Sequence, residues 1–489
     1  MLSPQVCRAF TGSTRFTVSS DFGVFMRHVA RALIFACVSL GPVRASIDAK
    51  GQAEQFCYGC HGDQFTGGRA PALAGGGWHH ARTEEEAADI ILHGLPNAGM
   101  PAFEKTFSVE DARALAAFIK SRDMPWEPAQ FILDGTVLHT QLGAIKMERF
   151  SDGYETPWSM AFLPDGRLLV TEKAGRLRIV DHGQLTPAIE GIPAVHYQQD
   201  GGLLSLALDP DFAKNGWIYL SYADPGAKPD YSMTKVIRGK IRDGHWVDQE
   251  TVWAADAKFY HTGDDHYGCR LLFVNGKLFF SIGDRGDRSN AQNLANPCGK
   301  IHRVNPDGTV PADNPFVDRK DADPTVWSYG HRNPQGLAID PQTGEIWEVE
   351  HGPRGGDELN HIHKGANYGW PIVTWGTNED GTKISDATSA PGMVDPVAHW
   401  TPSQAPGVLY FSDSDRYPAW KNQILVGFLR GQKIHRVRVK GDTLVEQEAF
   451  ANSLGRVRDI KTGPDGLIYV AVEHWERSGE IWRMVPVAR

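Results

Sequence analysis

The stretch "GPDGLIYVAVE" (463–473) decides how most of this chain folds. A turn of Gly, Pro, Asp and Gly, residues that preset or permit the dihedrals of a tight reversal, runs straight into seven residues dominated by β-formers. The pairing recurs upstream: "LPDG" leads into "RLLVTEK" (167–173), "VNG" into "LFFSIGD" (278–284) and "PQTG" into "IWEVEHG" (346–352). "WIYLSYAD" (217–224) and "ILVGFL" (424–429) complete the series. Six such units, spaced irregularly by about 40–80 residues, predict an all-β six-bladed propeller of four-stranded blades with insertions. A pair of β-sandwiches is the competing architecture, and it requires shorter, more even strand spacing.

The N-terminal region has another character. "QFCYGCHGDQFTGG" (55–68) contains Cys57-x-x-Cys60-His61, the spacing of covalent haem attachment, in which two thioethers fix the porphyrin and the adjacent imidazole binds iron. A zinc site would need two further ligands nearby, and no second cysteine pair exists. "HGLPNAGMPAF" (93–103) sets Met100 in a Gly/Pro-rich turn, a sixth ligand that raises the potential and suits electron transfer; His79, His80 and His93 are rivals. Two helical patterns flank the turn, "TEEEAADIILHG" and "SVEDARALAAFIKSR", the latter capped by Ser108. Residues 46–124 resemble a small all-α class I cytochrome c domain.

A chain of 489 residues exceeds what one hydrophobic core fills, so two domains fit its length. Formal charge is −9, and the first 45 residues hold five Arg against one Asp, so the remainder is more acidic still. An acidic body without a basic run argues against nucleic acid or anionic membrane as partner. "MRHVARALIFACVSLGPVRAS" combines arginines, an apolar run over Ala32–Leu40 and a small-residue site ending at Ala45. That order describes a secretory leader over 1–45, with Met26 as an alternative start and a periplasmic or secreted destination. The run is too short to span a bilayer, and nothing later reaches transmembrane length. Of six cysteines, Cys7 and Cys37 leave with the leader, and Cys57 and Cys60 serve the haem. Cys269 and Cys298 are expected to pair in an oxidising compartment, the alternative being two separate buried thiols.

After a linker over 125–143, chemistry gathers in the loops of residues 144–489. "HTGDDHYGCRLLF" places Asp264 and Asp265 beside His266, the composition of an oriented general base. "YGHRNPQGLAID" fixes Arg332 and Asn333 in a turn. "EHGPRGGDELNHIHKGANYGWP" (350–371) offers carbonyls, Asp357 and Glu358 to a hard cation. Arg430, Arg456 and Arg458 are forks for carboxylates, and the last two alternate, so they share one face of an extended segment.

These loops, with "PWSMAFLPDGRLLVTEKAGRLRIV", "GGLLSLALDPDF", "DHYGCRL" and "GRVRDIKTGPDG", make the domain resemble the soluble pyrroloquinoline quinone (PQQ)-dependent aldose sugar dehydrogenases, six-bladed propellers. The resemblance implies His266 as general base with Asp265 orienting it, and Arg332 and Asn333 at the quinone. It implies Arg430, Arg456 and Arg458 at the PQQ carboxylates and Ser403 nearby. Gly352 and Pro353 would bind, through their carbonyls, the Ca2+ that touches PQQ; Glu358 and Tyr368 match a second calcium site. Asp200 stands where family members usually carry Gln, and Arg430 where many have Lys. The expected activity is oxidation of an aldose C1 hydroxyl to a lactone, hydride going to PQQ and electrons to the haem. An external acceptor, such as a periplasmic cytochrome or copper protein, would follow. Alternatives are another alcohol, aldehyde or sugar derivative as substrate, or a propeller that binds or hydrolyses a ligand without redox chemistry.

Overall fold

The computed structural model describes residues 48–61, 65, 70, 73, 80–95, 100–122, 132–474 and 477–487. The expected leader, the rival ligand His79 and residues 125–131 of the linker lie outside them. Residues Asp48–Arg489 form one compact unit.

Six sheets follow one another, five of four strands and one of five. Blade 1 spans 157–188, blade 2 spans 203–254, blade 3 spans 271–329, blade 4 spans 334–400 and blade 5 spans 406–450. Blade 6 closes the ring: strands Arg456–Thr462, Ile468–Glu473 and Gly479–Val487 are joined by Gly143–Tyr154 from the start of the domain. Val137–Thr140 adds a fifth strand at the outer edge by pairing with that N-terminal strand. The stretch read as linker up to 143 therefore already contributes to blade 6, because its Val-Leu-His-Thr run can satisfy its backbone groups on an open edge.

Each of the six sequence units forms the second strand of its blade. These strands are buried almost throughout, with Leu168–Glu172, Ile346–Glu350 and Ile424–Phe428 buried at every position. A second strand is covered by neighbouring blades on both faces, so it reads as a continuous apolar run instead of an alternating one. Outer strands such as Thr443–Phe450 show the alternation of a half-exposed surface. The main core unites blades 1, 5 and 6 through Met160, Val170, Leu425, Ile434, Val457, Val470 and Trp482.

Among the described residues the small domain carries four helices: α1 (Ala49–Phe56), α2 (Tyr58–His61), α3 (Glu84–His93) and α4 (Val109–Lys120). Thr83 caps α3 by accepting from the Glu86 N–H, and three glutamates in its first turn face the positive end of the helix dipole. Ser108 and Asp111 form a reciprocal capping box on α4. Phe56, Phe103 and Phe107 pack edge-on or tilted at 5.2–5.9 Å between ring centres.

Cys269 and Cys298 correct one expectation, since both are free and buried. Cys269 packs with Trp158, Leu204, Ala223 and Tyr267, whereas Cys298 belongs to a separate cluster with Trp253 and Phe280. Burial pushes each thiol up to about 12, so both act as small apolar side chains.

Candidate active site

A cavity of about 840 Å³ opens where the loops at one end of the blades converge. His266 lies on its wall, in a left-handed conformation (φ +55°) that a side chain other than glycine seldom adopts. The conformation needs room behind it. A Cβ at Gly283 would stand 2.4 Å from the His266 carbonyl oxygen and 2.8 Å from its Cβ, which accounts for the glycine in "SIGD".

His266 Nδ1 lies 2.6 Å from Asp284 Oδ1. Asp284 Oδ1 also accepts from the Gly286 N–H at 2.9 Å, and Oδ2 accepts from the Trp370 indole N–H at 2.7 Å. Burial alone would raise the Asp284 carboxyl, but the His266 hydrogen bond, Arg332 and Trp370 hold it below the usual range. Asp284, and not Asp265, is thus the carboxylate paired with the His266 ring. Asp265 lines the cavity one residue before His266, with its backbone carbonyl accepting from Arg285. Asp264 turns away to His196, whose Nε2 is 2.7 Å from its Oδ1. Asp284 lies two residues beyond the strand Lys277–Ile282, where its carboxylate faces the ring.

Asp200 lies in the cavity, where its Oδ2 accepts from the His266 N–H at 3.3 Å. Burial acts to raise its carboxyl, and the nearby His266 and Lys173 outweigh that to hold it low. Asn333 supports the same loop: its Oδ1 accepts from the Gly268 N–H at 3.2 Å and from Gln335 at 3.1 Å.

The Arg332–Asn333 turn is built by a residue the sequence reading missed. Glu350 Oε2 accepts from the N–H groups of Arg332 (2.5 Å) and Asn333 (3.2 Å), while Oε1 lies 3.3 Å from His331 Nδ1. The Arg332 guanidinium donates to the carbonyls of His351 and Gly352, at 3.1 and 3.0 Å, and lies over Trp370. His351 is driven down to about 3 by burial, so it stays neutral, and its buried Nε2 has no hydrogen-bond partner.

Another stretch of the cavity wall is cationic. Arg456 and Arg458 share Glu473, with Nε–Oε2 distances of 3.1 and 2.7 Å. Burial would raise Glu473, yet the two arginines hold it at about 2. Lys173 joins them; burial, then repulsion from Arg458, lowers its ammonium to about 8. Neither Glu473 nor Lys173 was singled out from sequence, although both close the second-strand runs "LIYVAVE" and "RLLVTEK". Ser403 lines the cavity and donates to Asp357 Oδ1 at 2.8 Å. Asp357 also accepts from the N–H groups of Gly352, Gln404 and Ala405, which ties the Gly352–Pro353 loop to the Ser403 loop.

Beside the turn, three carboxylates meet in the interior. Asn360 Nδ2 lies 3.1 Å from Glu348, 3.4 Å from Glu350 and 3.2 Å from Glu358. Burial and the negative charge of Glu350 push Glu348 and Glu358 well above the ordinary carboxyl range. Glu348 Oε1 and Asn360 Oδ1 are buried without partners. His331, Glu348 and Glu350 each offer one ligand atom within 4.8 Å of the others, and this buried, carboxylate-rich set carries surplus negative charge suited to a divalent cation. The Tyr368 hydroxyl is turned away from this set. That hydroxyl donates to the His361 carbonyl and accepts from the His363 N–H, while the ring stacks on His331.

The small domain borders the same cavity through Gln55, Phe56, Tyr58, Gly59, Cys60 and Pro101. Arg354, next after Gly352 and Pro353, donates to the Phe56 carbonyl at 2.5 Å and lies over the rings of Phe56 and Phe103. Arg430 donates to the Glu54 carbonyl at 3.1 Å, so it reaches across to α1 as well as lining the cavity. Two cations therefore face the C-terminal end of α1, where helix carbonyls and the dipole are negative. Burial pushes the adjoining Cys57 thiol up to about 12. Met100 sits half-buried and exchanges backbone hydrogen bonds with Leu95. His93 is exposed and paired with Asp89 of its own helix.

Fold and site define a propeller oxidoreductase joined to a cytochrome c-type domain. Residues 154–483 match the family model of glucose/sorbosone dehydrogenases, and residues 48–119 match that of cytochrome c oxidase, cbb3-type, subunit III. The chain belongs to the glucose/sorbosone dehydrogenase family. It is 42% identical over 363 residues to an uncharacterized protein of Synechocystis sp., covering 70% of this chain and 86% of the relative. To the aldose sugar dehydrogenase YliI of Escherichia coli K12 it is 39% identical over 350 residues, covering 70% and 93%. The PQQ-bound aldose sugar dehydrogenase of Streptomyces coelicolor superposes with a TM-score of 0.58 at 26% identity, covering 70% and 98%.

Proposed function

We propose that this chain is a PQQ- and Ca2+-dependent aldose dehydrogenase that passes its electrons to a haem held by its own N-terminal domain. The observation that carries the reading is the shared cavity: the His266–Asp284 pair and the haem-attachment residue Cys60 line one space. PQQ when bound supplies the two-electron redox chemistry, Ca2+ polarises it, and haem c supplies the one-electron outlet.

The residues present fit those groups. Lys173, Arg456 and Arg458 offer cationic partners to the carboxylates of PQQ, and Trp158 and Trp370 offer flat apolar walls. The unpartnered His351 Nε2 marks a polar contact awaiting a ligand. Gly352 and Pro353 would offer carbonyls to the nearer Ca2+, with Glu348, Glu350 and Glu358 holding a second. Cys57 and Cys60 are the thioether anchors, and His61 and Met100 the iron ligands.

His266 acts as the base. Its Nδ1–H donates to Asp284, so Nε2 carries the lone pair that takes the proton from the sugar C1 hydroxyl. Asp284 cannot swing away, because Trp370 and Gly286 hold its other lone pairs. It stabilises the imidazolium as the proton arrives. Arg332 sets positive charge where negative charge develops, and Asp200 fixes the backbone of the base. Arg354 and Arg430 hold α1 against the quinone loop, which keeps electron transfer within one chain.

Among the described residues no helix is long and apolar enough to cross a membrane. The c-type haem motif and the leader expected over 1–45 support export to the periplasm or beyond. Two carboxylates on the cavity wall, Asp200 and Asp265, favour neutral sugars over sugar acids. Reconstitution with PQQ and Ca2+ followed by an aldose panel tests the proposal. The haem spectrum should become reduced at a first-order rate independent of protein concentration. No sugar-dependent reduction across aldoses, alcohols and aldehydes would overturn it, and reduction by alcohols alone would move the substrate class.

A further inference from the structure

The run "NHIHKG" (360–365) holds a histidine pair with no part in the sugar site. His361 lies in the third strand of blade 4, Asp357–Ile362, and His363 follows two residues later, on the same side of an extended segment. The register places the pair far from the cavity. Glu350 pairs with Glu358 beside the cavity loops, while Ile346 pairs with Ile362 at the other end of the blade, about 13 Å away at a strand's rise. Asp442 comes from blade 5, in the tight turn between Ile434–Lys440 and Thr443–Phe450.

One ligand atom each of His361, His363 and Asp442 lies within 4.8 Å of the others. His361 Nδ1 is 2.6 Å from Asp442 Oδ1, and the two imidazole rings are 4.3 Å apart. His361 is held in place: it is buried and stacked on Trp347, with ring centres 4.8 Å apart and planes 5° from parallel. Its other nitrogen, Nε2, is 3.3 Å from Glu345 Oε2, on the hairpin turn of the same blade. A proton on Nε2 shared with Glu345 leaves the Nδ1 lone pair directed at the other two groups. That is how an outer carboxylate sets the tautomer and orientation of a metal-binding imidazole.

We propose that His361, His363 and Asp442 bind a divalent transition metal of the Zn2+ type, with Glu345 as outer partner, tying blade 4 to blade 5 on the side away from the cavity. Two imidazoles and a carboxylate favour Zn2+ over Ca2+ or Mg2+, which take oxygen ligands, and leave a fourth position for water. Bonds of about 2.0–2.1 Å around a tetrahedral ion need ligand atoms about 3.3 Å apart, so the 2.6 Å contact opens slightly on binding. His363 and Asp442 are exposed and free to adjust, while His361 stays fixed.

The test uses the untagged holoprotein with excess Ca2+ to fill oxygen-only sites, stripped of transition metals and titrated calorimetrically with Zn2+. Bound metal is counted by elemental analysis after dialysis. The wild type should bind one Zn2+ more than His363→Ala and Asp442→Ala, both exposed positions that leave the fold intact. Glu345→Gln should weaken that site by about 10–100-fold. Saturating Zn2+ should raise the unfolding midpoint of the wild type and not that of His363→Ala, with the haem spectrum unchanged in both. Equal Zn2+ stoichiometry in the wild type and both variants, or no Zn2+ bound by the wild type, would overturn the proposal. None of these readouts depends on sugar turnover.

Discussion

Asp284→Asn isolates the contact on which the proposed chemistry rests. The carboxylate accepts at three points, from His266, Gly286 and Trp370, and it is buried. Asparagine keeps the shape but has one accepting oxygen. If that oxygen serves Trp370, the amide N–H groups face Gly286 N–H and donate to His266 Nδ1, which forces the imidazole proton onto Nε2 and removes the base. If the oxygen serves His266, an amide donor meets the Trp370 donor, at a cost of about 1–3 kcal/mol for an unsatisfied buried group. A positioned general base contributes roughly 10²–10⁴-fold, so kcat for sugar-dependent haem reduction should fall by about that range. KM should change little, because Asp284 acts on the base and does not hold the sugar. The assay is stopped-flow absorbance of the haem after mixing PQQ- and Ca2+-loaded protein with aldose, with thermal unfolding run alongside. Asp265→Asn is the paired control and should cost less than about threefold, since substitutions outside such contacts usually have small effects. A loss at Asp265 equal to that at Asp284, or near-normal kcat in Asp284→Asn, would refute the orientation argument.

Arg354→Ala removes a charged hydrogen bond to the Phe56 carbonyl and a cation over two rings, together worth about 2–4 kcal/mol. Internal haem reduction should slow at least about tenfold and become concentration-dependent, while turnover with a small soluble acceptor changes far less. Glu473 is held at about 2 by Arg456 and Arg458, below its unfolded value, so its stability is fully present above about pH 4.5. That stability is lost as pH falls toward 2, and Glu473→Gln should flatten this window by about one proton, or about 3 kcal/mol, in urea unfolding against pH. Chelating Ca2+ should lower the unfolding midpoint by a few degrees, as expected when a ligand near 100 times its Kd, worth about 2.7 kcal/mol, is removed. The effect should shrink as pH falls and the raised carboxyls of Glu348 and Glu358 take up protons, and disappear in Glu348→Gln; an unchanged midpoint in differential scanning calorimetry would remove the carboxylate cluster as a calcium site.

The sequence by itself determined what is local or periodic. Six second strands were legible because burial on both faces leaves an unbroken apolar run behind each turn. Cys57, Cys60 and His61 were legible because covalent attachment demands a fixed short spacing. Arg456 and Arg458 were placed on one wall because alternate residues of a strand share a face. Tertiary structure decided what depends on which strand lies beside which. His266 takes its carboxylate from Asp284, eighteen residues on and two residues past the strand Lys277–Ile282, and not from Asp265, its neighbour in sequence. Lys173 and Glu473 come from blades 1 and 6 and meet only when the ring closes. Glu348 and Glu350 looked like charges in an apolar strand, and they converge on Glu358 because the strands pair in register. Cys269 and Cys298 remain apart because two blade clusters packed each as a small apolar group. Above all, Arg354 reading as a loop residue carried no sign of its partner. Only the docking of α1 on the propeller set the haem motif beside the base, since a contact 298 residues apart in sequence leaves no periodic trace in either segment.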